Sequence, residues 1–149
     1  MAEKQVFRTK IDQTFFTMHF GILAVMSFFT VAAYRSSSDH SMFSFMLGLC
    51  IVVFLFTILS FLFLRIIVKD EFLIVHLFYP LYTVDIKTIT MINTGKTMWF
   101  GLHKHGTARK GLIISSKFKN DVYITPQNQE TFLQKLTEIN PEFPIKKTS

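Results

Sequence analysis

A single cysteine, Cys50, occurs among the 149 residues, so no internal disulfide can brace the fold. There is no Gly-rich phosphate loop, no Gly-x-Ser-x-Gly and no His-Glu-x-x-His, which removes the commonest signatures of nucleotide hydrolysis, esterase chemistry and zinc peptidases. The adjacent carboxylates Asp70 and Glu71 read as part of a turn, and as strand neighbours they would point to opposite faces rather than share a reacting group. No catalytic constellation and no cofactor are expected. Charge is missing from two long stretches: residues 14–34 and 41–64 contain no Asp, Glu, Lys or Arg.

What fills those stretches is apolar, and many of the 18 phenylalanines fall within them. Each matches or exceeds the roughly 20 residues that carry a helix across a bilayer core of about 30 Å. Two such runs in tandem are hard to bury in so short a chain. They predict two transmembrane helices, residues 14–34 and 41–64, joined by a short loop at 35–40 and therefore antiparallel neighbours. The first run is longer than the apolar part of a signal peptide, and a second span follows the nearest small-residue pair, Ala32-Ala33, directly. Neither span has Gly-x-x-x-Gly; Gly21, Ala24, Gly48, Thr57 and Ser60 are the small residues available for close helix contact. His19 lies near the start of its run, where snorkelling toward the interface is expected. Cys50 reads as a small packing residue.

The flanks set the orientation. Lys4, Arg8 and Lys10 precede the first span, Arg65 and Lys69 follow the second, and the connecting loop carries only Arg35. Basic flanks favour the cytoplasmic side. Both termini are therefore expected in the cytoplasm of a bacterial inner (cytoplasmic) membrane, with 35–40 external. Residues 1–13 read as a cytoplasmic lead, with Phe7 and Ile11 spaced for an interfacial helix.

Beyond the spans, residues 65–149 leave room for one small cytoplasmic domain. Short β-rich runs follow one another at 65–68, 72–78, 81–85, 86–91, 111–115 and 121–125, separated by Lys69-Asp70-Glu71, Tyr79-Pro80, Asn93-Thr94-Gly95 and Lys119-Asn120. That punctuation predicts a curved antiparallel sheet. Ile86, Ile89 and Ile92 are expected to turn inward. Pro126 stops the sheet, and residues 127–140 form an amphipathic helix. Phe132, Leu133, Leu136 and Ile139 lie on one face of it, Asn128 is the cap and Asn140-Pro141 the end. Lys146-Lys147 falls in a loose tail.

A run of strands closed by one C-terminal helix resembles a pleckstrin-homology-like (PH) domain, and residues 69–141 resemble the small bacterial PH-like domains attached to two membrane spans. The resemblance is carried by Val68-Lys-Asp-Glu-Phe-Leu-Ile-Val75, by Val84-Asp-Ile-Lys-Thr-Ile89, and by the block from Val122-Tyr-Ile-Thr-Pro126 through Phe132-Leu133 to Asn140-Pro141. It implies a curved antiparallel sheet or barrel capped by one helix, an α+β fold. It carries no settled activity with it. The segment 97–106, Thr-Met-Trp-Phe-Gly-Leu-His-Lys-His-Gly, departs from the plainer middle of that family. Basic loop residues bind lipid head groups in better-known PH domains, but that motif has no residue-by-residue counterpart here.

One window carries a sharper signal. Residues 86–120 contain no acidic side chain but seven basic ones, Lys87, Lys96, Lys104, Arg109, Lys110, Lys117 and Lys119, against a net charge of +6 for the whole chain. A domain tethered directly after Arg65 brings such loops near an anionic leaflet. Lys96, Trp99, Phe100, Lys104, Arg109 and Lys110 are the candidate residues for binding lipid or a protein partner, with Trp99 at head-group depth. His103 and His105 are spaced to share a strand face, but structural zinc takes four ligands and no cysteine is near. Nucleic acid also reads basic stretches, yet no nucleic-acid motif is present. The function expected is membrane-anchored binding or scaffolding, with anionic lipid head groups or a protein as partner. PH-like sheets also offer an edge that can take a peptide strand. The rival is a subunit, or a protective factor, of a larger membrane complex whose function lies in the hairpin.

Overall fold

The computed structural model describes residues 4–36, 40–98, 101 and 103–147. The chain forms two compact units, one from residues 13–62, the other from residues up to 12 together with those from 63 onward.

The first unit is a pair of helices, α1 (Gln13–Ser36) and α2 (Ser41–Phe63). Both are long and apolar enough to cross a membrane. They run antiparallel: the Tyr34 ring lies 5.1 Å from Phe43 at one end, and Phe15 lies 5.6 Å from Phe61 at the other. The covered positions of α1 include His19, Leu23, Met26, Thr30 and Ala33, and those of α2 include Met46, Cys50, Val53 and Thr57. Steps of three and four residues are the period of a helix–helix seam. The two residues buried in this seam are threonines. Thr30 and Thr57 donate back to the Met26 and Val53 carbonyls, each at 2.8 Å, so neither hydroxyl is left without an acceptor in an apolar setting. Close approach does not use the glycines, because a Cβ at Gly21 or Gly48 would meet nothing within 4 Å. His19 reaches one turn back toward the helix start, its Nδ1 2.9 Å from the Phe15 carbonyl oxygen.

The second unit holds β1 (Lys4–Arg8), β2 (Arg65–Lys69), β3 (Phe72–His76), β4 (Pro80–Asp85), β5 (Ile89–Lys96), β6 (Gly111–Ser116), β7 (Val122–Ile124), α3 (Gln129–Ile139) and β8 (Ile145–Lys147). They form two four-stranded sheets, β1-β2-β3-β4 and β7-β6-β5-β8. All pairings are antiparallel except β5 with β8. The sheets do not close into a barrel. They are joined where β1 ends: Thr9 bridges Pro126, and Gln127 N–H donates to the Arg8 carbonyl at 2.9 Å.

Four local expectations give way here. The lead is not an interfacial helix. Its Phe7 and its neighbours alternate with the pleat, and Phe7 enters the core beside Ile66 and Phe132, which only a strand paired to β2 permits. Asn93-Thr94-Gly95 is not a turn but part of β5. Thr94 pairs Leu112 and Lys96 pairs Gly111, skipping Gly95, whose φ of 79° makes it a bulge rather than a chain reversal. The tail is not loose at Lys146-Lys147, because Ile92 N–H donates to Pro144 at 3.1 Å and β8 extends that contact along the β5 edge.

Nor is 86–91 one strand: residues 86–88 make a single 3-10 turn, capped by Asp85, whose carboxylate accepts from Lys87 N–H at 2.9 Å, and β5 starts only at Ile89. The acidic turn, the inward isoleucines and the last helix follow the expected pattern. Asp70, at φ 54°, and Glu71 form a two-residue turn between β2 and β3, a conformation aspartate tolerates. Ile86, Ile89 and Ile92 are buried. On α3, Asn128 accepts from Thr131 N–H at 3.2 Å as the cap, and Phe132 and Leu136 are fully buried against both sheets. At the other end Asn140 Nδ2 donates to the Ile86 carbonyl at 3.0 Å.

Candidate functional site

The basic loop before β6 is organised by Tyr123 of β7. This tyrosine is fully buried, and the chain from His103 to Gly111 winds around it. His105 N–H donates to the Tyr123 carbonyl at 2.9 Å, and Tyr123 N–H donates to His103 at 3.0 Å. The Tyr123 hydroxyl donates to the Ala108 carbonyl. Gly106 and Gly111 flank the ring so closely that a Cβ on either would lie 2.3 Å and 2.7 Å from its carbons. Side chains are therefore excluded at both positions, and the loop takes one path. Burial holds the Tyr123 hydroxyl above the ordinary tyrosine range, so it remains a donor at neutral pH.

A second set of bonds fixes this loop to the segment before α1. Thr107 Oγ1 donates to the Lys10 carbonyl at 2.6 Å, and Thr107 N–H donates to Thr125 Oγ1 at 2.9 Å. Asp12 N–H donates to the Thr107 carbonyl at 3.2 Å, and Arg109 N–H donates to the Asp12 carboxylate at 2.6 Å. Residues 107–109 thus lie alongside residues 10–12, and α1 begins at the next residue, Gln13.

Four of the six candidate residues lie among those described; Trp99 and Phe100 lie outside them. Arg109 and Lys110 are exposed at the network just given. Lys96, exposed at the end of β5, pairs with Gly111 and so stands at the same end of the β5–β6 pair as Lys110. Lys104 is exposed and bridges Tyr123, on the other flank of the loop. Lys110 also meets α3, for its carbonyl accepts from Gln129 Nε2 at 3.0 Å. An open cleft of about 810 Å³ follows, lined by Lys10, Lys110, Thr94, Gly95 and residues 127–130. Two ammonium groups and the first turn of α3 there suit an anionic group, tempered by Glu130.

The remaining basic residues of the window belong elsewhere. Lys87 pairs with Glu71 at 2.5 Å, and that carboxylate keeps the ammonium charged to higher pH than usual. Lys117 and Lys119 lie in the β6–β7 turn, where Lys119 donates to the Thr83 carbonyl and sits 5.5 Å from the Tyr82 ring centroid. That turn, Tyr82 and His103 line a smaller cleft of about 420 Å³. The His103 and His105 rings are 6.1 Å apart. Among the described residues no group of three or more His, Cys, Asp or Glu side chains is placed to hold a metal. His105 is half-buried, its Nε2 has no hydrogen-bond partner among the described residues, and burial, then the neighbouring His103, pushes its pKa below the usual histidine value.

Lys10 was missed by sequence reasoning. It lies 100 residues from Lys110, and only the strand nature of residues 4–8, itself weakly signalled, brings them to one cleft. By pattern Tyr123 is an ordinary strand residue, and the glycines at 106 and 111, which its ring requires, are the sole local signal of its role.

A family model described as a bacterial PH domain matches residues 65–140. Searches of curated proteins and of solved structures found no match. The matched segment runs from the first residue of β2 to the end of α3 and covers half of the chain, leaving β1 and the two apolar helices outside it. With its two sheets and capping helix, the chain belongs to the bacterial PH domain family.

Proposed function

We propose that this chain is a membrane-anchored binding module, without catalytic activity of its own, whose PH domain presents a basic face to anionic lipid head groups. The observation that carries this reading is the bonding of residues 107–109 to residues 10–12, the segment from which the chain continues into α1. The helices support the anchor. Their outer faces expose Phe28, Phe29, Val52 and Phe56 among many others, far more apolar surface than water tolerates. The pairing of β1 with β2 supports one location for both flanks of the hairpin, since Arg8 and Arg65 are register partners. With Lys4, Arg8, Lys10, Arg65 and Lys69 on those flanks, that side is the cytoplasm of a bacterial inner membrane. Each basic side chain near an anionic leaflet gains roughly 1 kcal/mol.

The test uses the full chain in nanodiscs of neutral or of anionic lipid. Amide hydrogen exchange at residues 103–110 is expected to be slower in anionic discs. The difference should shrink as salt screens the charges and vanish in an Arg109→Glu, Lys110→Glu variant. Equal exchange in both lipids overturns the reading.

One observation favours the rival reading, in which the hairpin serves a larger complex. An apolar groove of about 470 Å³ runs between α1 and α2, lined by Phe20, Leu23, Ala24, Ser27, Cys50, Ile51 and Phe54, a shape suited to a third helix. Replacing residues 13–62 with an unrelated hairpin separates the two: lipid-dependent exchange at 103–110 survives only if the domain carries the function.

A further inference from the structure

We infer that the turn between β3 and β4 is a membrane anchor, its Phe78 and Tyr79 inserted at head-group depth into the leaflet that the hairpin enters. This rests on the proposal that α1 and α2 cross the membrane, and adds an apolar contact to the basic face. The register of the first sheet carries it. Arg8, Arg65 and His76 are successive cross-strand partners, so they form one row across β1, β2 and β3. From this row the chain departs toward α1 after Arg8 and arrives from α2 before Arg65. The β3–β4 turn leaves from the same row, His76 pairing with Pro80 across it. It therefore projects from the sheet at the end where both helices connect, opposite the Asp70-Glu71 turn.

The composition of this turn is wrong for water and right for an interface. Phe78 is 54% exposed and Tyr79 63% exposed, and the turn is held in shape by Leu77 N–H donating to the Tyr79 carbonyl at 3.2 Å. Neither ring is needed by the core. The exposed ring of Phe63, in the same compact unit, lies 5.1 Å from the Phe78 ring, so the turn belongs to a larger exposed aromatic patch. Aromatic rings concentrate at the depth where a membrane-spanning helix meets water. Behind them stand the exposed Arg8 and Arg65, placed for phosphates, and no acidic residue belongs to the row. An aromatic tip backed by arginines fits a lipid surface better than a protein groove.

The test places a tryptophan reporter in the full chain. Tyr79→Trp and, as a control at the β6–β7 turn, Phe118→Trp are each made in a Trp99→Phe background and reconstituted into vesicles containing brominated lipid. Phe118 is 81% exposed, so neither substitution threatens folding. The expected result is blue-shifted emission and strong bromine quenching at position 79, with water-like emission and no quenching at 118; adding Phe78→Ser should shift the 79 emission toward red. Water-like, unquenched emission at 79 overturns the anchor. If residues 103–110 still exchange more slowly in anionic discs, the basic face stands and the anchor alone falls. If that difference is also absent, membrane apposition of the domain falls with it.

Discussion

Phe7 and Phe132 meet edge to face, their ring centroids 5.1 Å apart and their planes at 88°. One ring precedes the apolar hairpin and the other lies on the last helix, so the core of the PH domain is closed by a residue from the far side of the hairpin. Phe7 is buried while its neighbour Val6 is exposed. Phe7→Ala removes a ring from a packed core, which typically costs about 3–5 kcal/mol, whereas Val6→Ala should stay within about 0.5 kcal/mol. Thermal unfolding of the domain in detergent, followed by the exchange of β2 amides, reads both. A Phe7→Ala protein as stable as the parent would mean that β1 only decorates the sheet edge.

The same closure predicts how the domain can be made soluble. A fragment starting at residue 65 lacks β1 and leaves β2 as an edge, with Ile66 deprived of its cross-strand partner Phe7 and Val68 of Gln5. Replacing residues 13–62 by a short flexible linker instead retains Thr9, its hydroxyl bond to Leu64 at 3.3 Å and the full β1–β2 register. The linked form is expected to be monomeric with a cooperative melt, and the fragment to aggregate or melt without cooperativity. Size-exclusion chromatography and calorimetry on the pair decide it.

Tyr123 gives a third prediction. Tyr123→Phe keeps the ring but deprives the Ala108 carbonyl of its donor, a loss of about 1–3 kcal/mol for a buried acceptor. Gly106→Ala pushes a methyl into the same ring. Both should speed exchange of the His105 and Thr107 amides by at least tenfold while β2 and β3 exchange as before. A uniform effect across both sheets would show that Tyr123 supports the fold at large and not this loop.

How far the sequence foretold this varies with the range of the interactions. The apolar helices are legible because composition alone specifies them. α3 is legible because Asn128, Phe132, Leu136 and Asn140 are local signals within one element. Strand β1 is not. Lys-Gln-Val-Phe-Arg alternates weakly over five residues, and its partner β2 lies beyond the whole hairpin. Gly95 marks a change in backbone direction, but a bulge and a turn use the same residue, and only the pairing of Thr94 and Lys96 to β6 distinguishes them. β8 is held by backbone bonds to β5 with every side chain exposed, which leaves no hydrophobic pattern to read. For the site, the excess of positive charge was visible. Its division was not, because the path of the chain around Tyr123 separates Arg109 and Lys110 from Lys117 and Lys119.

Acid should loosen the basic loop through His105. Its ring is half-buried beside His103, and both influences favour the neutral form, holding its pKa below the usual value. In the unfolded chain the same histidine takes up a proton near its ordinary value of about 6.5. Between that value and the lower folded one, the unfolded state binds more protons, so stability rises with pH. The contribution is complete above the unfolded pKa and is lost as pH falls through the folded one. Moving from about pH 7.5 to about pH 5 should therefore lower the melting temperature and speed exchange at the Tyr123 amide, which bonds to His103. His105→Leu removes the titrating group, and with it a buried nitrogen that lacks a described partner, so it should flatten this part of the pH dependence. His103→Gln should reduce it by relieving the repulsion. A pH dependence unchanged in His105→Leu would assign the acid sensitivity to other groups.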